Sequence, residues 1–207
     1  MSDNISSAKR ELRKHILGLR MGLGDAEVQD LSGKIQTNLF ASTILKDIKT
    51  AFIYKSFKNE ADTAETIGLM RECGIRTCFP RVEAADTGQR VMAIYEAPGG
   101  DEFFEMGNFG ILEPCPKKCA PVKIEEIDLV VVPGVAYDKG FFRLGFGGGF
   151  YDRFLANVKP SCIKAAPAFE LQIVSEVPRD IFDMPVDCII TEEQVYYDEE
   201  QSKKFEK

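Results

Sequence analysis

Apolar residues near the N-terminus recur at the spacing of a helix face. Leu12, Ile16, Leu19 and Leu23 fall three to four positions apart, so residues 7–23 predict an amphipathic helix with one buried stripe. Val28, Leu31, Ile35 and Leu39 repeat the pattern from about Asp25 to Phe40; the short link between the segments predicts an antiparallel helical pair. Lys9 and Arg13 stand four apart at the edge of the first stripe and are placed to run along the core boundary. A solvated basic face is the simpler account of the same spacing. His15 reads as a solvated helical residue.

From Ala51 the pattern changes to short β-rich runs: Ala51 to Ser56, Thr77 to Val82, Val91 to Ala97, Leu129 to Tyr137, Lys164 to Phe169 and Cys188 to Thr191. Asp62-Thr63-Ala64-Glu65 has the form of a capping box opening a helix that carries Ile67, Leu69, Met70 and Cys73. Strands alternating with helices predict an α/β fold: one layered domain over residues 1–207, with a largely parallel central sheet flanked by helices and the N-terminal helical pair. The unbroken run Leu129-Val130-Val131-Val132 reads as a central strand buried on both faces. The charged tail from Asp198 to Lys207 reads as a solvated, fraying end.

Composition narrows the class. With 44% hydrophobic and 29% charged residues, the chain falls in the globular range, outside disordered, collagen-like or coiled-coil sequences. A net charge of −7 over 207 residues argues against broad binding to nucleic acid or an anionic membrane. No apolar run reaches the length of a membrane span, and MSDNISSAKRELRK has no signal-peptide core, so a cytoplasmic protein is expected. Six cysteines then read as reduced thiols, with Cys73, Cys78, Cys162 and Cys188 as small core residues. Cys115 and Cys119 lack the spacing and the second pair of a zinc knuckle.

Residues 133–153 carry the chemistry. Gly145, Gly147, Gly148 and Gly149 lie between a buried strand and a helix running on from Asp152, where backbone amides can approach an anion closely. No Gly-Lys-Ser/Thr closes the loop as in a Walker motif, and Phe150 stands where a dinucleotide fingerprint requires glycine. Arg143 adds a permanent forked cation, and Asp152 a carboxylate that would repel bare phosphate unless a divalent cation stood between them. Together they suggest a magnesium nucleotide. A tight connection of glycines with Asp152 as a helix N-cap accounts for the same residues by geometry alone.

These residues resemble the 5-formyltetrahydrofolate cyclo-ligase family, also called 5,10-methenyltetrahydrofolate synthetases. The resemblance rests on Pro133 to Asp138 and Arg143 to Asp152, and on further blocks in order: Lys9 with Arg13, Tyr54 to Thr63, Phe79-Pro80-Arg81, Gly110 to Pro114, Phe169 to Gln172, and Asp183 with Asp187 ahead of Thr191-Glu192. It spans essentially the whole chain.

The resemblance implies ATP- and Mg2+-dependent cyclisation of 5-formyltetrahydrofolate to 5,10-methenyltetrahydrofolate, ADP and phosphate, through phosphorylation of the formyl oxygen. By position it places ATP on Lys9, Arg13, Arg143, Gly145, Gly147, Gly148, Gly149 and Tyr151, with Arg143 also the catalytic residue. It places the folate, with or without a polyglutamate tail, on Lys55, Glu60, Phe146 and Phe150, and magnesium on Asp152 and Asp183. No nucleic acid, membrane or obligate protein partner is implied. The sequence departs from the family pattern at Phe141, where many members carry glycine, at Phe150 in place of tyrosine, at Gly148 in place of a lysine, and at Phe182 where bacterial members often show histidine. Two other readings of the same residues are a phosphate-binding α/β enzyme of the sugar-phosphate isomerase kind, which needs no ATP, and a relative that binds nucleotide or folate without catalysis.

Overall fold

The computed structural model describes residues 2–85, 88–107 and 110–197; the charged tail from Asp198 lies outside them. Strand β1 (Thr50–Phe52) is buried along its whole length and pairs in parallel with β2 (Arg76–Ala84), reached through helix α3 (Ala64–Glu72), and on its other side with β7 (Leu129–Val131). Beyond β7, β10 (Ile163–Pro167) and β12 (Cys188–Ile190) continue the parallel set. Antiparallel β3 (Arg90–Glu96), β6 (Ala120–Pro121) and β13 (Val195–Tyr197) complete an eight-stranded sheet in the order β13-β12-β10-β7-β1-β2-β3-β6. The hairpin β4 (Phe104–Met106) and β5 (Leu112–Pro114) stands apart.

The order of the five parallel strands reverses direction at one place. From β1 the chain crosses to β2 on one side, and later returns to lay β7 on the other. The carboxyl ends of β1 and β7 therefore diverge into loops on opposite sides of a crevice, where open α/β sheets accept ligands.

The run from Leu129 to Tyr137 is two strands, not one. Pro133 has no N–H to continue the ladder; the chain leaves the large sheet and re-forms as β8 (Ala136–Asp138), which joins β9 (Arg143–Leu144) and β11 (Ile173–Val174) in a separate three-stranded sheet. The first strand is also shorter than its apolar run, stopping at Phe52 before the loop that follows. Asp62 to Glu65 forms no capping box: the Asp62 carboxylate accepts the Ala64 N–H, while the Thr63 hydroxyl donates to the Tyr54 carbonyl.

The two N-terminal helices, α1 (Ser2–Met21) and α2 (Asp25–Ala41), bury their stripes against different surfaces. Ile16 of α1 packs with Val135, Ala136, Leu144 and Val177 against the small sheet, whereas Ile35 and Leu39 of α2 pack on the large one. On α1 the inward face is rotated from the apolar stripe: Leu19 is exposed and Arg20 is fully buried. Cys73 is exposed, while Cys78, Cys162 and Cys188 are core residues; all six cysteines are unpaired. Burial pushes the Cys78 and Cys162 thiols up to about 12. Among the described residues no helix is long and apolar enough to cross a membrane.

Candidate functional site

The loop after β1 forms one wall of the crevice. Lys58 and Asn59 both hold left-handed backbone, at φ of 51° and 54°, a conformation that costs about 1–2 kcal/mol per residue without compensation. The Asn59 amide compensates by donating to the carbonyls of Arg20 and Leu23 at 3.3 and 3.1 Å, capping the end of α1. From the other flank the Asp62 N–H donates to the Ser32 hydroxyl of α2.

Glu60 ends this loop, buried, with Oε2 accepting the Phe57 N–H at 2.9 Å. Burial raises its carboxyl to about 7, against the opposing pull of the Arg20 charge and of the Phe57 N–H. Around it stand Tyr54, Tyr137 and Tyr151, whose phenols burial drives well up, the Glu60 charge adding to the shift. The Tyr54 and Tyr137 hydroxyls donate to the Ala61 and Val132 carbonyls. The Tyr151 hydroxyl is buried without a partner among the described residues; it points into the interior and not out to the glycine loop.

The opposite wall begins at Gly134, where an added Cβ would meet the Tyr137 hydroxyl at 2.6 Å. Asp138 shapes the turn that follows: one carboxylate oxygen accepts the N–H groups of Gly140 and Phe142, the other that of Val177. Phe141 sits in this turn at φ 65°, a position suited to glycine, and is anchored by packing its ring into the core beneath. β9 then carries Arg143 inward and delivers the glycine loop. The Arg13 Nε–H donates to the Gly145 carbonyl at 2.9 Å, tying the loop to α1. Gly147 at φ 101° and Gly149 at φ 62° need the freedom of glycine, and Gly149 opens helix α4 (Phe150–Leu155). A Cβ at residue 148 would lie 2.8 Å from the Phe150 ring, so the glycine at 148 goes with this ring placement. Phe146 is half-exposed beside the Arg20 guanidinium, which lies 5.8 Å from its ring centre.

A third segment closes the site. Lys9 pairs with Asp183 at 2.5 Å, and the same oxygen accepts the Asp180 N–H. Next to it, Met184 donates its N–H to Asp152 and accepts from Arg143 Nη1 at 2.8 Å, while Arg143 Nη2 pairs with Asp152 at 3.0 Å. Asp152 is thus the third residue of α4 and not its N-cap. The Arg143 fork is engaged rather than open; its Nε–H alone is without a partner among the described residues. Asp152 Oδ2 and Asp183 Oδ1 carry no hydrogen bond among the described residues. Two hard carboxylate oxygens brought together by Met184 fit part of the shell of a magnesium that takes its remaining ligands from phosphate and water. No group of three or more His, Cys, Asp or Glu residues gathers as a full metal cage among the described residues.

Lys9, Arg13, Arg143, the glycines, Asp152 and Asp183 therefore converge, with Phe146 carried on the glycine loop itself and Glu60 on the facing wall. Lys55 does not join them: it pairs with Asp101 and lies 4.3 Å from the Phe104 ring centre. Arg20 escaped the pattern of hydrophobic positions. The signal that finds it is spacing: it follows Lys9 and Arg13 by eleven and seven residues, on the same helical face.

A profile of the 5-formyltetrahydrofolate cyclo-ligase family matches residues 5–192. A 5-formyltetrahydrofolate cyclo-ligase from Haemophilus influenzae is 38% identical over 179 residues, covering 86% of this chain and 94% of the relative. That of Escherichia coli K12 is 27% identical over 180 residues, covering 86% and 96%. The NMR structure of Aquifex aeolicus 5,10-methenyltetrahydrofolate synthetase superimposes with a TM-score of 0.79 at 34% identity, over 91% of this chain and 92% of that one.

Proposed function

The chain belongs to the 5-formyltetrahydrofolate cyclo-ligase family, and from that membership we propose that it closes 5-formyltetrahydrofolate to 5,10-methenyltetrahydrofolate with ATP, the two substrates meeting across the crevice between β1 and β7. A formamide carbon is a poor electrophile, and its oxygen a poor leaving group; phosphorylation changes both. The formyl oxygen attacks the γ-phosphorus and displaces ADP. N10 then bonds to the activated carbon and gives up its proton, and the C–O bond breaks with its electron pair leaving on phosphate. Such chemistry asks the protein mainly for positioning and charge neutralisation.

The residues divide the work by side. Lys9, Arg13 and the loop of Gly145, Gly147, Gly148 and Gly149 receive the triphosphate, with exposed loop amides as donors. Arg143, buried behind the glycine loop, holds Asp152 in place and adds its positive charge to the phosphate end of the site. Asp152 and Asp183 would hold magnesium, which when bound neutralises charge on the transferring phosphoryl group. Tyr151 belongs with the nucleotide by chain position, but its hydroxyl lies nearer the Glu60 side. Glu60 accepts from the donor edge of the reduced pterin, and Phe146 and Phe150 cover its rings. Lys55 reaches an anionic glutamate tail by releasing Asp101, an exposed and therefore weakly held partner.

One observation carries this reading: α1, the glycine loop and residues 180–184 bring their cations and carboxylates together opposite a buried glutamate that has no ion pair among the described residues. Because the site draws on residues from Lys9 to Asp183, the whole chain acts as one catalytic domain. Six free thiols suit a reducing cytoplasm. A sugar-phosphate isomerase would neither need ATP nor share the family. The test is the stoichiometry of ADP and methenyl product in the purified protein, with no partner added. They should form one to one; sustained ATP hydrolysis without the folate, or product without ATP, contradicts the mechanism.

A further inference from the structure

We infer that Arg20 is a positioning residue for the folate side of the site, tying the loop that carries Glu60 to the Gly134 link of the opposite wall, beside Phe146 of the glycine loop. The inference deepens the functional reading above and rests on it. Arg20 is fully buried, yet no carboxylate pairs with it among the described residues. A buried guanidinium without an ion partner is expensive, and here its two Nη groups serve backbone carbonyls on both walls, Lys58 O at 3.1 Å and Gly134 O at 3.4 Å, while its Nε–H has no partner among the described residues.

The clasp on the Lys58 side runs in both directions, because Asn59 donates its amide back to the Arg20 carbonyl. These bonds hold the two consecutive left-handed residues immediately before Glu60. On the far wall Gly134 O also accepts Gln172 Nε2 at 3.1 Å, so Arg20 is joined there to a fixed point, and its guanidinium lies beside Phe146. Helix α1 therefore presents three cations along the crevice: Lys9 and Arg13 at the nucleotide end, and Arg20 about 16 Å from Lys9 along the axis at the folate end. Glu60 is faced by Arg20 from α1, by Tyr54 from the loop after β1, by Tyr137 from β8 and by Tyr151 from α4; Arg20 is the one cation among them.

The test compares Arg20→Met and Arg20→Lys with the parent protein by steady-state kinetics across about pH 5 to 9, with thermal melting as the control for folding. Arg20→Met should raise the folate KM about tenfold or more while leaving the ATP KM within about twofold. It should also move the midpoint of the pH dependence of the folate KM upward, because Glu60 loses its neighbouring positive charge. Arg20→Lys should restore the midpoint but not the KM, since an ammonium keeps the charge and cannot span both carbonyls. Folded variants with parental folate KM and midpoint, or with equal losses for both substrates, overturn the inference. If Arg20→Met does not fold, Arg20→Lys decides alone, by a raised folate KM at constant ATP KM; failure of both to fold makes Arg20 merely structural and overturns it too. A parent protein that forms no methenyl product fails the functional reading itself. Arg20 is then judged by calorimetry with 5-formyltetrahydrofolate, where Arg20→Met should bind about tenfold more weakly and unchanged affinity overturns the inference.

Discussion

Burial holds the Glu60 carboxyl at about 7, far above its value of about 4.3 in an unfolded chain. The folded state therefore holds the Glu60 proton more tightly than the unfolded state. The stability this contributes is fully present below the unfolded value and is lost as pH rises through about 7. Folate binding pulls the other way, because donors on the ligand favour the ionised carboxylate. In Glu60→Gln the fall in melting temperature between mildly acidic and neutral pH should flatten, so that the variant gains on the parent above neutrality. At the same time its folate affinity should drop by about 1–3 kcal/mol, with ATP affinity nearly intact. Melting curves and binding isotherms across pH check both; parallel stability profiles, or equal losses for the two ligands, contradict this role. Glu60 was legible in the sequence only through the resemblance, since an acid after a strand is ordinarily exposed. Arg20 was not legible from apolar periodicity, because the face that α1 buries includes cations.

At the scale of elements, α4 shows how a short helix can carry a charge pair. Gly149 opens the helix in a left-handed conformation, which sets Asp152 within its first turn, against Arg143 and the Met184 N–H. Asparagine at this position keeps an acceptor for both, so Asp152→Asn should cost only about 1 kcal/mol of stability. A neutral amide is a poorer ligand for a hard cation, so the magnesium needed for half-maximal rate should rise about tenfold or more. Magnesium titration of the initial rate, beside thermal melting, separates the two effects. An unchanged magnesium dependence in a slightly destabilised protein leaves Asp152 as the partner of Arg143 alone. The glycine loop and the helix after it were readable from residue types, whereas the two-residue strand β9 before it was not. The split of the run from Leu129 to Tyr137 into two sheets was not, because Val132, Val135 and Ala136 are as apolar as a single strand would be, and the break turns on Pro133 and on the tertiary partners of Gly134.

For the whole molecule, the alternation of strands and helices indicated a largely parallel layered fold, and the sheet order supplies what the alternation could not: the reversal between β1 and β7 that opens the crevice. Residues far apart in the chain meet there only because α1 lies against the small sheet and the segment around Asp183 folds back on α4. Pairings such as Lys9 with Asp183 span almost the full sequence and leave no local signature. The mechanism proposed for this crevice has the γ-phosphate and the formyl group face each other directly, without an activated water or an enzyme nucleophile between them. Supplying 5-formyltetrahydrofolate labelled with oxygen-18 in its formyl group, together with unlabelled MgATP, and analysing the released phosphate by mass spectrometry reads that transfer at the atom concerned. The label should appear in inorganic phosphate in proportion to methenyl product; unlabelled phosphate, with the oxygen-18 released to water, would contradict direct phosphorylation of the formyl oxygen.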